Sequence, residues 1–175
     1  VVLLPSKTVL VNTKMNDTNT TEGGYVGSKM WKETIPAVVT GIKAAFGADH
    51  VVKHRELLTT KISATAQSSA GAGWTGSSTD WAWTDVEANI PTEPMVYGGT
   101  IFSSSGYDVG SGEKQFAIFR FKKCSYPDRM WFWLSAVASA SRFCNASENG
   151  NANYIDASNS NSDGGCRPLL ISVYP

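Results

Sequence analysis

The chain has 175 residues, 42% hydrophobic and 17% charged, with 15 basic side chains against 15 acidic ones. That length suits one domain with a sizeable core. A formal net charge of zero argues against the basic excess with which a nucleic-acid binder neutralises phosphates or a peripheral protein docks on an anionic membrane. No run reaches the roughly 20 apolar residues that span a bilayer, so neither nucleic acid nor membrane insertion is expected.

From the N-terminus, "VVLLPSKTVLV" is short and interrupted by Pro5 and Lys7, so it does not read as a signal peptide. Lacking an initiator Met, the chain is expected to be a fragment or a processed product. Residues 7–13 alternate weakly and read as a strand, followed by a polar, turn-rich loop. Residues 1–23 together are taken as an N-terminal strand and loop, a linker from a larger protein.

The clearest helix follows, because Ile35, Val38, Val39, Ile42, Ala45 and Phe46 have the spacing of one amphipathic face. Gly47 stands at its stop and Pro36 near its start, where a missing N–H costs least. Residues 28–34 are expected to form a separate first turn. "HVVKHRELLTT" is ambiguous between strand and helix, and the Gly, Ser and Ala content of 63–83 predicts mostly loop. Thr84 and Glu87 have capping-box spacing. Strands are expected in "MVYGGTIFSS" (95–104), "EKQFAIFRFKK" (113–123), "RMWFWLSAV" (129–137) and "CRPLLISVY" (166–174). Short strands, two helices and long irregular loops make the class α+β.

Chemistry is scarce along this path. His50 and His54 share an i, i+4 spacing, but Val51 stands where a zinc-protease motif has Glu, so a structural role is the better reading. Cys124, Cys144 and Cys166 are odd in number and lack C-x-x-C spacing; one bridge stays open, with buried free thiols the expectation. Arg167 is the only cationic neighbour of Cys166 in sequence, a weak basis for a nucleophile. "NGNANYID" invites a calcium reading but lacks the EF-hand order of ligands. Phosphate-loop, dinucleotide and nucleophile-elbow motifs are absent. The N-x-[ST] sequons at Asn16, Asn19 and Asn145 matter only in a secreted eukaryotic chain. No cofactor, metal or catalytic constellation is expected.

The most informative stretch is "SRFCNASENGNANYIDASNSNSD" (141–163), which holds six of the ten asparagines. Flanked by "WFWLSAV" and "CRPLLISVY", it is expected to be ordered, with Ala146, Gly150, Ala152 and Ala157 packed inward and polar neighbours outward. Asn, Ser, Tyr and Gly are also the adaptable contact set of antibody paratopes.

Several segments together carry a resemblance: "GGYVGSKM" before a helix ending "AAFG", then "HRELLT", "EPMVYGGTIF" and "QFAIFRF", and last "WFWLSAVASASRFCNASENGNANYIDAS" with "RPLLI". From about 24 to 172 the chain resembles phage tail and receptor-binding tip domains with a C-type lectin-like fold. It is similar in particular to the variable proteins of diversity-generating retroelements, of the major-tropism-determinant type. Two departures are Ser135, where the family has Arg after W-L, and Cys166 in place of the family's Val before R-P.

The resemblance implies that 24–175 is a ligand-binding domain of a viral tail tip, on the virion or alternatively on a bacterial cell surface. Its implied partner is a host bacterial surface receptor, protein or glycan, engaged by a homotrimer. In that family, adenine-directed mutagenesis of Asn codons diversifies the C-terminal segment. The implied contact positions are Arg142, Asn145, Asn149, Asn151, Asn153, Tyr154, Ile155, Asp156 and Asn159, all residue types with a pyrimidine-ending codon; Glu148 has none. Two other readings share the fold. One is a structural virion decoration protein. The other is an enzyme of the formylglycine-generating or sulfoxide-synthase type, which needs a reactive cysteine pair or a His-based iron site. With both histidines far upstream of the cysteines, the expectation is a binder and not an enzyme. A lectin fold by itself does not imply sugar binding.

Overall fold

The structure, a computed structural model, describes residues 2–3, 5, 9–63, 77–104, 115–120, 130–160, 164–166 and 169–171. Its strands are β1 (Val2–Leu3), β2 (Leu10–Val11), β3 (His54–Ile62), β4 (Ser78–Val86), β5 (Ala88–Asn89), β6 (Trp131–Val137), β7 (Arg142–Ala146), β8 (Ala152–Asp156), β9 (Gly164–Cys166) and β10 (Leu169–Ile171). The α-helices are α1 (Gly24–Gly27), α2 (Ile35–Phe46), α3 (Glu93–Tyr97) and α4 (Ala117–Arg120). The class is α+β. A five-stranded sheet runs β2-β9-β6-β7-β8, a three-stranded one β1-β10-β5, and β3 and β4 form a separate ribbon. Among the described residues, every pairing is antiparallel except β6 with β9.

β6 organises the interior. All seven of its residues are buried, and alternate side chains go to opposite faces of the sheet. Trp131, Trp133 and Val137 join Phe143, Cys166, Met15, Tyr25, Met30, Ile35, Val39 and Leu58 in one apolar cluster. Phe132, Leu134, Ala136 and Ala138 join Cys144, Ala146 and Val96 in a second, with Tyr97, Phe102, Phe119 and Tyr154 against its margin. A strand covered on both faces reads as a continuous apolar run, which is why "WFWLSAV" is legible. The residues before Gly24 contribute to the same core: Met15 is fully buried, Trp133 Nε1 donates to the Thr13 carbonyl at 2.6 Å, and Thr21 Oγ1 donates to that of Ser139 at 2.6 Å.

The main helix has the expected bounds, Ile35–Phe46, and buries Ile35, Val38 and Val39 while Gly47, at φ 93°, ends it. Residues 28–34 differ from expectation. Met30–Thr34 form a π-helical turn that runs directly into α2.

Further expectations are corrected or refined. Of 63–83, expected to be mostly loop, residues 78–83 are strand and 64–76 lie outside the described residues; Thr84 pairs with Glu56 inside the β3–β4 ribbon instead of capping a helix. The ribbon hides one face in the core, and that burial outweighs the local capping signal. "MVYGGTIFSS" does not form a strand. Thr92 accepts from the Met95 N–H, Pro94 occupies the first turn and Gly98 closes α3 at φ 84°, so helix-end chemistry overrides the aliphatic composition. In "EKQFAIFRFKK" residues 117–120 are helical, and 113–114 and 121–123 lie outside the described residues. The strand expected over 166–174 is split into β9 and β10, with 167–168 and 172–174 outside the described residues. In the strand expected at 7–13, Leu10 and Val11 pair with β9 and the Val9 and Asn12 N–H groups also reach its carbonyls, at 3.1 and 3.0 Å; 7–8 fall outside the described residues.

Candidate functional site

Residues 142–156 of the asparagine-rich window form a β-hairpin along one edge of the five-stranded sheet. β7 and β8 pair Arg142 with Asp156, Phe143 with Ile155, Cys144 with Tyr154, Asn145 with Asn153, and Ala146 with Ala152. The turn is closed by the Ser147 N–H on the Asn151 carbonyl at 2.9 Å and the Gly150 N–H on that of Ser147 at 2.8 Å. Ser147 Oγ accepts from the Asn151 N–H at 3.1 Å. Gly150 takes φ 80° there, a left-handed conformation that glycine adopts without a Cβ penalty.

Cross-strand pairs share a face, so the register sorts the candidate residues. Asn145, Asn153 and Ile155 lie on one face with buried Phe143; Arg142, Tyr154 and Asp156 lie on the other with buried Cys144 and Ala146. Asn149 and Asn151 belong to the turn end, and Asn159 follows β8 at the opposite end. Asn149, Asn151 and Asn153 are exposed; Arg142, Tyr154, Ile155, Asp156 and Asn159 are half-buried. Asn145 is only 3% exposed, and its Oδ1 has no hydrogen-bond partner. Of the small residues expected to face in, Ala146 and Ala157 are buried and Ala152 is half-buried. Gly150 is exposed, because the turn needs its backbone rather than its size.

Several candidates are engaged within the chain. Arg142 Nε donates to Asp156 Oδ1 at 2.8 Å, and its guanidinium carbon lies 5.5 Å from the centre of the Tyr154 ring, in cation–π range. Asp156 Oδ2 accepts from Asn19 Nδ2 at 3.3 Å, and Asn19 Oδ1 accepts from Ser158 Oγ at 2.6 Å and its N–H at 3.1 Å. Asn153 Oδ1 accepts from the Tyr154 N–H at 2.9 Å. Arg142, Tyr154 and Asp156 therefore brace the hairpin. Asn149 Nδ2 donates to Glu148 Oε1 at 3.0 Å, and Asn149, Asn151 and Asn153 are the exposed candidates.

Tyr154 also rests edge-on against Phe102, with ring centroids 4.9 Å apart. Phe102 is positioned by a residue that sequence reasoning missed. Glu93, fully buried on α3, accepts through Oε2 from the N–H groups of Ile101 at 2.9 Å, Phe102 at 3.1 Å and Ser103 at 2.9 Å, and from Ser103 Oγ at 2.6 Å. Three successive N–H groups converging on one carboxylate make a backbone nest. The capping pattern at Thr92–Pro94 was the available signal for α3. The partner loop, eight residues on, had none.

His54 and the buried Glu56 are bonded within the chain. His50 lies in an exposed 3₁₀ turn, Ala48–His50, and His54 opens β3, so the two share no helix face. His54 Nδ1 meets the Val86 carbonyl at 3.0 Å and Nε2 meets Glu56 Oε1 at 2.6 Å. Asn89 Nδ2 donates to Glu56 Oε2 at 2.6 Å, and the Tyr25 hydroxyl donates to Asn89 Oδ1 at 2.5 Å. Buried Glu56 is thus satisfied on both oxygens, as burial of a carboxylate demands. Burial raises the Tyr25 hydroxyl well above its usual range. Cys144 and Cys166 are buried and not bridged to each other, and Cys124 lies outside the described residues. Burial pushes the Cys166 thiol up to about 12, the opposite of an activated nucleophile. Among the described residues, no three His, Cys, Asp or Glu side chains gather to hold a metal ion. Compared with known proteins, the chain matches no family model, no curated protein and no solved structure.

Proposed function

We propose that this chain is a receptor-binding domain of a phage tail tip with a C-type lectin-like fold, similar to the diversified variable proteins. Its contact surface is the turn end of the β7–β8 hairpin. The observation that supports this reading is that Asn149, Asn151 and Asn153 are exposed at the turn end of the hairpin, while Arg142, Tyr154 and Asp156 are tied within the chain. A rigid frame carrying adaptable amides loses little entropy on binding. The partner is a surface molecule of a host bacterium, and no catalysis is involved. Weak single contacts gain avidity when a homotrimeric tip displays several copies.

Binding of labelled protein to a panel of bacterial strains tests this. The triple variant Asn149→Ala, Asn151→Ala, Asn153→Ala is expected to lose binding at least about tenfold, with Tm within about 2 °C of the wild type. Arg142→Ala and Asp156→Ala are expected to lower Tm by about 2–4 °C, since each breaks a half-exposed pair of about 1 kcal/mol. Wild-type binding by the triple variant, or its unfolding, would refute the assignment.

A further inference from the structure

The β3–β4 ribbon carries a second surface that the asparagine hairpin does not use. β4 alternates, so Thr79, Trp81, Trp83 and Asp85 are exposed while Ser78 and Val86 are buried. Trp81 and Trp83 are 41% and 48% exposed, in a fold that leaves Trp131 and Trp133 only 5% and 0% exposed. Their ring centroids are 6.5 Å apart and their planes meet at 78°, so the two indoles form a corner open to solvent. Their cross-strand partners, Thr59 and Leu57, are buried. Arg55 Nε meets Asp85 Oδ1 at 3.2 Å beside the corner, and Lys61 meets Asp80 at 3.0 Å at the bulged end of the ribbon.

We propose that this corner binds a neutral saccharide. The aliphatic C–H face of a sugar ring suits the negative face of one indole, and the second indole supplies a wall at a near right angle. Arg55 and Asp85 cancel, as do Lys61 and Asp80, so neither an anionic nor a cationic ligand gains net attraction. Arg55 brings only donors and Asp85 only acceptors, and sugar hydroxyls satisfy both. A proline-rich peptide also stacks on tryptophan, but a prolyl residue has no N–H for Asp85.

The test is electrophoretic retardation in gels containing dextran, mannan, galactomannan or hydroxyethyl cellulose, with alginate as the charged control. The wild type is expected to be retarded by at least one neutral polymer. Trp81→Ala and Trp83→Ala should each weaken that binding about tenfold. Asp85→Asn, which keeps both rings, should weaken it several-fold, and Asn151→Ala should leave it unchanged. Thermal transitions confirm that each variant folds, and Asp85→Asn keeps the test open if a tryptophan variant does not. Failure of every neutral polymer to retard the wild type overturns the proposal. So does retardation by alginate alone, retardation unaffected by both tryptophan changes, or a dimer in sedimentation that Trp83→Ala dissolves. None of these outcomes bears on the asparagine hairpin, so the two readings stand or fall separately.

Discussion

Replacing Glu93 isolates the support beneath the candidate surface. Its Oε2 accepts four hydrogen bonds, from the N–H groups of Ile101, Phe102 and Ser103 and from Ser103 Oγ. Bonds to a charged acceptor contribute about 1.5–3 kcal/mol each when buried. They do not add here, because Ile101 is 45% exposed and water can replace part of what is lost. For Glu93→Ala the expected cost is about 3–5 kcal/mol, the range for breaking a buried charged network. Glu93→Gln retains one acceptor oxygen and should cost about 2 kcal/mol. Urea denaturation at unchanged m-value measures both. Because Phe102 is held by this nest and packs on Tyr154, both variants should also speed proteolysis within 99–104. A Glu93→Ala protein within 1 kcal/mol of the wild type, with that loop cut no faster, would refute the reasoning.

Two other predictions follow from the core. A Cβ on Gly164 would lie 1.7 Å from Trp131 Cε2, in the parallel β6–β9 pair where the two residues are in register. Gly164→Ala should therefore cost about 1–3 kcal/mol by overpacking, read as a lower Tm, and Trp131→Phe in the same chain should restore part of it. The Cys166 thiol, pushed up to about 12 from 9.0, should not react with a thiol reagent at pH 8 until the chain unfolds. The unfolded thiol ionises first, so above about pH 9 the unfolded state binds fewer protons and stability falls toward pH 12. Tyr25, raised in the same direction, adds to that alkaline loss. Denaturation series from pH 7 to 11 check the slope, and a flat profile above pH 9 would contradict it.

Local pattern was enough where one physical term dominated. The 35–46 helix has an apolar stripe, a tolerated Pro36 and a stop at Gly47. β6 reads as a strand because both faces are apolar. The strand structure within 141–160 was foreshadowed by the apolar runs that flank the window. Its internal division was not legible, since the side on which each residue falls depends on the register of β7 against β8. Arg142, Tyr154 and Asp156 look as available in sequence as Asn151 does. Only pairing shows that Arg142 and Asp156 meet each other and that Tyr154 meets Phe102. Residues 95–104 misled because helix-end chemistry at Thr92, Pro94 and Gly98 outweighs an aliphatic composition suited to a strand.

By itself, then, the sequence determined the α+β class, the main helix, the buried central strand and the place of the asparagine-rich segment between apolar flanks. These depend on periodicity and composition over a few consecutive residues. Tertiary structure decided which asparagines face solvent, that Glu93 holds the loop under Tyr154, and that Trp81 and Trp83 stay outside the core. Each of those outcomes rests on contact between segments distant in sequence. A single chain read in order carries no signal for such contacts, because burial and hydrogen-bond satisfaction are properties of the assembled fold.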